Sequence, residues 1–289
     1  MFAIALKADR YPTYVLSDSE TEARLEVVPE RGGIVTRWQV QSQDVLYFDE
    51  ARFADPKLSV RGGIPLLFPI CGNLPGNTYS LNDQTYTLKQ HGFARDLPWQ
   101  VVLQDVREAA ALTLQLTSDE QTRQVYPFDF RLQFTYRLRG HSLEIDQQVT
   151  NLSNQPMPFA IGLHPYFLVK DKSQLQFSLP GQQGLNHMTG EGVTYSGSFD
   201  FDQEEIDLSL QPLTAATATV TDTQLNRKLT LSWGDGFSTL VFWTVKGKDY
   251  YCLEPWSAPR NALNTGSHLL TLEPQQTWNS QVKLAIDFG

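Results

Sequence analysis

Cysteine is nearly missing: the 289 residues contain only Cys71 and Cys252, too few for the disulfide framework that staples small secreted domains. Basic charge is also short. Twenty-three Lys and Arg stand against 32 Asp and Glu, a net charge of −9, and no run of like charge appears. A phosphate backbone or an anionic bilayer needs clustered cations, so neither nucleic acid nor a membrane is an expected partner. No stretch approaches the roughly eighteen apolar residues of a membrane span. In the opening MFAIALKADRYPTYVL, Lys7, Asp9 and Arg10 interrupt the chain before a signal-peptide core forms. A cytoplasmic location is the expectation. The nucleotide-binding signatures G-x-G-x-x-G and G-x-x-x-x-G-K-[ST] are missing, as are the paired metal-ligand spacings C-x-x-C, H-x-H and H-E-x-x-H. No G-x-S-x-G nucleophile elbow occurs either.

What is present is strand. In FDFRLQFTYRLRG, Leu132, Phe134, Tyr136 and Leu138 alternate with Arg131, Gln133, Thr135 and Arg137, the period of two of a half-buried strand. HSLEIDQQVT follows, with Leu143, Ile145 and Val149 on one face and Glu144, Asp146 and Gln148 on the other. Arg139-Gly140 between them reads as the turn of an antiparallel hairpin. TYSLNDQTYTL repeats the logic around Asn82-Asp83. Sustained helical spacing occurs nowhere; RFADPKLSV has room for one turn, broken at Pro56. The hydrophobic fraction of 41% supplies a sizeable core, and 16 prolines and 19 glycines are spread between short strands with no linker among them. The predicted fold is a single all-β domain over residues 1–289, a large antiparallel β-sandwich with very little helix.

Four segments embed polar residues in apolar, Pro- and Gly-rich surroundings. VRGGIPLLFPICGN carries Arg61. QHGFARDLPW carries His91, Arg95 and Asp96. In FAIGLHPYFLV, His164 is the one ionisable group, and in YYCLEPWSAP, Glu254 is flanked by Leu253, Pro255 and Trp256. Burial raises a carboxyl pKa and lowers that of an imidazole, moving both toward neutrality, where proton donors and acceptors work best. Glu254 and His164 are therefore a candidate acid–base pair. Trp256, Tyr166, Phe167 and Phe93 offer flat faces for the C–H side of a sugar ring.

Taken in order, RGGIPLLFP, QHGFAR, GLHPYF and CLEPW resemble the aldose 1-epimerase (galactose mutarotase-like) family from about Glu26 to the last strand. RGGIPLLFP with QHGFAR looks like the branch that includes hexose-6-phosphate 1-epimerases. The ICGNLPGNTYSLNDQTYTL between them looks more like the bacterial branch linked to lactose and galactose gene clusters. The resemblance implies a large β-sandwich, no metal or organic cofactor, and interconversion of the α and β anomers of a hexose or hexose 6-phosphate. It makes His164 the acid that protonates the ring oxygen and Glu254 the base that takes the anomeric hydroxyl proton. Arg61 and His91 match sugar-binding positions, Arg95 matches the arginine that closes the histidine motif and is a further substrate-binding candidate, and the aspartate that holds ring hydroxyls is Asp207 or its neighbour Asp202. The same residues also admit a non-catalytic sugar-binding sandwich, or a glycoside-acting enzyme with Asp207 as the second carboxylate. Outside these segments His141 reads as a solvated turn residue, His187 as a loop residue without a charged partner, and His268 as the start of a strand. Cys71 and Cys252 each flank a site segment, and one of them is placed to line the pocket.

Overall fold

The alternation in FRLQFTYRLR sets the burial of the strand it forms: along Phe130–Arg139, Leu132, Phe134, Tyr136 and Leu138 are buried and the residues between them are half-exposed. The computed structural model describes residues 1–289. In it Phe130–Arg139 pairs antiparallel with Ser142–Asn151, register Arg139↔Ser142. The turn is therefore Gly140-His141, one residue beyond the Arg139-Gly140 read from the sequence, with Gly140 at φ 57°. In the second hairpin Thr78–Leu81 pairs with Gln84–Thr87. Asn82 and Asp83 both take positive φ, 49° and 61°, as a two-residue turn compatible with strand twist requires.

Three sheets carry the architecture, and every strand-to-strand pairing in them is antiparallel. One of five strands begins with Phe2–Lys7 and ends with Gln43–Asp44. A sheet of eight has Leu175–Ser178 and Gln100–Asp105 at its edges, with Thr277–Phe288, Ser142–Asn151 and Phe130–Arg139 toward the middle. Another sheet of eight runs Glu191–Thr194, Gln183–Asn186, Glu205–Leu210, Thr239–Val245, Tyr250–Trp256, Gly162–Leu163, Leu66–Leu67, and its eighth strand, Tyr166–Leu168, also pairs with Tyr250–Trp256. Helix is confined to Glu50–Ala54, Glu120–Val125 and Ala262–Thr265, with three single 3-10 turns. The first helix stops at Asp55, extended ahead of Pro56, because a proline disfavours helical backbone at the residue before it. The chain is thus an all-β sandwich, and none of its helices is long and apolar enough to cross a membrane.

The main core is one cluster of 53 buried residues contributed by all three sheets, among them Leu25, Phe134 and Leu253. A second cluster of 11 lies on the opposite face of the sheet that contains Tyr250–Trp256. Period-two alternation divides that strand between them: Tyr251 and Leu253 enter the main core, while Tyr250, Cys252 and Trp256 join the smaller cluster. Glu254, in phase with the latter three, is carried to the same face.

Candidate active site

Register brings His164 and Glu254 together. Gly162 pairs with Trp256 and Tyr166 pairs with Cys252, so the same register places His164 opposite Glu254. Cross-strand neighbours on one face stand about 5 Å apart at Cβ. His164 Nε2 lies 3.4 Å from Glu254 Oε1, and the two side chains are 9% and 2% exposed. On its other side the His164 amide donates to the Pro65 carbonyl at 3.1 Å, in register with the pairing of Leu163 and Leu66. Gly162 makes room for the indole beside it, since a Cβ there would sit 2.7 Å from Trp256 Cδ1 and 2.9 Å from Cys71 Sγ. Trp256 Nε1 in turn donates to Glu254 Oε2 at 3.2 Å.

The His164 ring stacks on Tyr166 with centroids 4.8 Å apart and meets His91 edge-on at 5.4 Å. His91 is held by two bonds to Gly72: its amide donates to the Gly72 carbonyl at 2.7 Å and its Nδ1 accepts from the Gly72 amide at 3.0 Å. That second bond fixes the tautomer with the proton on Nε2, because Nδ1 must offer a lone pair. His91 takes φ 67°, and Gly92 behind it leaves the Phe68 carbonyl where a Cβ would be 2.2 Å away.

These groups line a cavity of about 230 Å³, together with Arg61, Arg95, Asp207 and Arg260. The Arg61 guanidinium lies 4.9 Å over the Trp243 ring, with Nη1 3.5 Å from the Tyr166 hydroxyl. Arg95 donates from Nη2 to the Gln90 carbonyl at 2.9 Å, and its Nε is buried with no partner. Both Asp207 oxygens accept from Arg260 Nη2, at 2.8 and 2.7 Å. Of the two aspartates considered from sequence, Asp207 reaches this cavity; Asp202 is exposed and lines a different cleft. Two larger clefts, about 460 and 590 Å³, lie elsewhere; neither holds His164 or Glu254.

Electrostatics follow burial. The Glu254 carboxyl is pushed well above its ordinary value, first by desolvation and then by the Asp207 charge; Arg260, Trp256 and Arg95 oppose this. His164 is held well below its ordinary value by desolvation, then by Arg95 and Arg61. Desolvation and the same arginines lower His91. Glu254 and His164 thus share one transferable proton in a dry site: either the carboxyl holds it beside a neutral imidazole, or the imidazole holds it beside a carboxylate. Both allocations have the same proton count, so the pair can accept a proton at one atom while releasing one at another.

Two ionisable residues of the cavity, Arg260 and Glu205, lie outside the set read from sequence. Arg260 stands one residue beyond the segment YYCLEPWSAP that frames Glu254; it packs 5.9 Å from the Trp256 ring centroid and over Gly72, where a Cβ would meet Arg260 Cγ at 2.3 Å. Glu205 accepts from Trp243 Nε1 at 2.7 Å. His187, read from sequence as lacking a charged partner, is half-buried, with Nε2 2.9 Å from Ser209 Oγ and its amide donating to the Asp207 carbonyl. Its pKa is lowered by desolvation and by Arg260, against a smaller opposing pull from Asp207. His141 packs edge-on against Phe288. His268 sits in a turn at φ 51°, ahead of the strand Leu270–Leu272. Cys71 and Cys252 are both free and buried behind the cavity wall, outside its lining.

A family model described as aldose 1-epimerase matches residues 13–285. The solved structure of the Slr1438 protein from Synechocystis sp. PCC 6803 is 46% identical, superposes with a TM-score of 0.96 and is covered over 100% of both chains. A galactose mutarotase-like protein from Clostridium acetobutylicum has the same fold at 20% identity, with a TM-score of 0.84 over 100% of this chain and 99% of that one. The chromosomal LacX protein of Lactococcus lactis subsp. lactis is 28% identical over 252 residues, which span 78% of this chain and 82% of LacX.

Proposed function

The chain belongs to the aldose 1-epimerase family, and on that premise we propose that it interconverts the α and β anomers of a hexose by opening and reclosing the pyranose ring. The 3.4 Å approach of His164 and Glu254 inside one cavity is the observation that carries this reading. Glu254 removes the O1 proton while His164 donates one to the ring oxygen, and the C1–O5 bond breaks. The open-chain aldehyde turns about C1–C2 and closes on its other face, with the two groups exchanging roles. Because the pair regains its starting proton count at closure, nothing else is consumed. Each positioned proton transfer contributes about 10²- to 10⁴-fold. The His91 Nε2–H and the Arg61 and Arg95 guanidinium groups face the ring hydroxyls and hold the open chain in place.

One observation favours a hexose bearing an anionic group such as a 6-phosphate. Neither Arg61 nor Arg95 has a carboxylate within ion-pair distance, whereas Arg260 is engaged by Asp207. Guanidinium forks suit phosphate oxygens. A purely sugar-binding role leaves the buried acid–base pair without a use. A glycosidase role is disfavoured because Asp207, its required second carboxylate, has both oxygens tied to Arg260. The test is the rate of α-to-β conversion of glucose against glucose 6-phosphate, followed by polarimetry, with a fluorogenic glycoside alongside. Acceleration with preference for the phosphorylated sugar supports the reading. Glycoside cleavage without anomer interconversion refutes it.

A further inference from the structure

Cys252 stands two residues before Glu254 on the same face of its strand and directly across from Tyr166, which places its thiol behind the acid–base pair. The donor atoms of His164, Cys252 and Glu254 all lie within 4.8 Å of one another. A tetrahedral ion with bonds of about 2.0 Å to nitrogen and oxygen and 2.3 Å to one sulfur separates its donors by roughly 3.3 to 3.5 Å. The His164–Glu254 separation, 3.4 Å, already falls in that range, so a small shift of the thiol completes three corners. His164 is more than nine-tenths buried, and its Nδ1 has no partner; no hydrogen bond at Nδ1 fixes the ring proton, so Nε2 is free to offer its lone pair. One thiolate, one imidazole and one carboxylate make the donor set of a thiophilic divalent ion, not of magnesium or calcium. The fourth corner opens toward the cavity lined by His164 and Glu254, where water or a sugar hydroxyl completes the coordination.

We propose that His164, Cys252 and Glu254 form an inhibitory site for Zn²⁺ or a similarly thiophilic divalent cation. On binding, the ion forms a bond to Cys252 Sγ, and the thiol proton and the proton shared by the pair leave to solvent. The lone pairs of His164 and Glu254 that would carry protons to and from the sugar are then occupied by metal. The ion and the sugar therefore exclude each other. Inhibition depends on the catalytic roles proposed above; binding depends only on the three donors.

The full-length protein, cleared of metal with a chelator, is titrated with Cd²⁺ and followed by the ultraviolet thiolate-to-cadmium band. Zn²⁺ inhibition of anomer interconversion is measured in parallel. The band is expected in the wild type and in Cys71→Ala and lost in Cys252→Ala, which keeps its basal rate but needs about 10- to 100-fold more Zn²⁺ for half-inhibition. Chelator restores the wild-type rate. Cys252→Ser, close in size, carries the comparison if the alanine variant does not fold. Absence of the band in the wild type, its persistence without Cys252, or an unchanged Zn²⁺ midpoint overturns the proposal. If the wild type fails to accelerate anomer interconversion, the functional reading falls while the cadmium band still decides the metal site.

Discussion

Glu254→Gln should make the protein inactive and, at neutral pH, more stable. The side chain is 2% exposed, and desolvation raises its folded pKa well above the ordinary 4.5. The sign follows from linkage: the stability contributed by a group with a raised folded pKa is fully present below its unfolded pKa and is lost as pH rises toward the folded value. Glutamine cannot ionise and loses nothing. Each pH unit above 4.5 therefore disfavours the wild type by up to about 1.4 kcal/mol until the folded pKa is reached, a ceiling of about 3 kcal/mol two units higher. At about 2 °C per kcal/mol for a chain of this size, the variant should melt about 2 to 5 °C higher at neutral pH. The amide oxygen can still accept from Trp256, so packing is retained. Calorimetry or fluorescence melts from pH 4 to 8 read the effect, and the two curves should converge at the acid end. A variant less stable than wild type at every pH would refute the reasoning. It would mean that the resting pair is a carboxylate–imidazolium ion pair, whose disruption costs about 3 to 5 kcal/mol.

Three further outcomes are expected. Gly162→Ala should destabilise the fold by about 1 to 3 kcal/mol of overpacking, lowering the melting temperature, and depress the rate, because its Cβ would lie 2.7 Å from Trp256 Cδ1; an unchanged rate would remove Trp256 from the support of Glu254. Gln147→Met should stabilise the fold by about 1 to 3 kcal/mol in denaturant unfolding, since Gln147 is 1% exposed with neither side-chain amide atom hydrogen-bonded. The pH profile of kcat/KM should be a broad plateau. The acid limb falls below the ordinary imidazole value of 6.5, where the depressed His164 gains a second proton for the pair; the alkaline limb falls well above 4.5, where the raised Glu254 loses the last one. Limbs at the ordinary values of both groups would show that burial does not tune them.

The strands were legible wherever one face is wet, because period-two alternation then marks the core side outright, as in Phe130–Arg139. Gln147 is a core-facing position where that rule meets a polar residue, and nothing in the sequence marks its burial. Arg61, His91, Arg95, His164 and Glu254 stood out because each is an ionisable group in an apolar or glycine-rich segment, and the structure gathers all of them around one cavity. Their proximity was hidden, since it depends on the pairing of Gly162 with Trp256 and Tyr166 with Cys252, a long-range register that alternation alone does not set. Arg260 escaped notice because it stands just past the glutamate segment, and its importance comes from Asp207, 53 positions earlier. His187 lies in a turn with neutral Ser209 as its side-chain partner, and the influence of Arg260 and Asp207 on it comes from other segments, which its own loop does not reveal.

The central claim is that Glu254 and His164 act as one proton-transfer unit. It is tested most directly by exchange NMR of the α and β anomers with wild type, Glu254→Gln, His164→Asn and the double variant. Each single change should cost about 10²- to 10⁴-fold, and the double should be no worse than the more impaired single, because a unit that has lost one member has nothing left to lose. Near-wild-type exchange in either single variant, or losses that multiply in the double, would contradict the account.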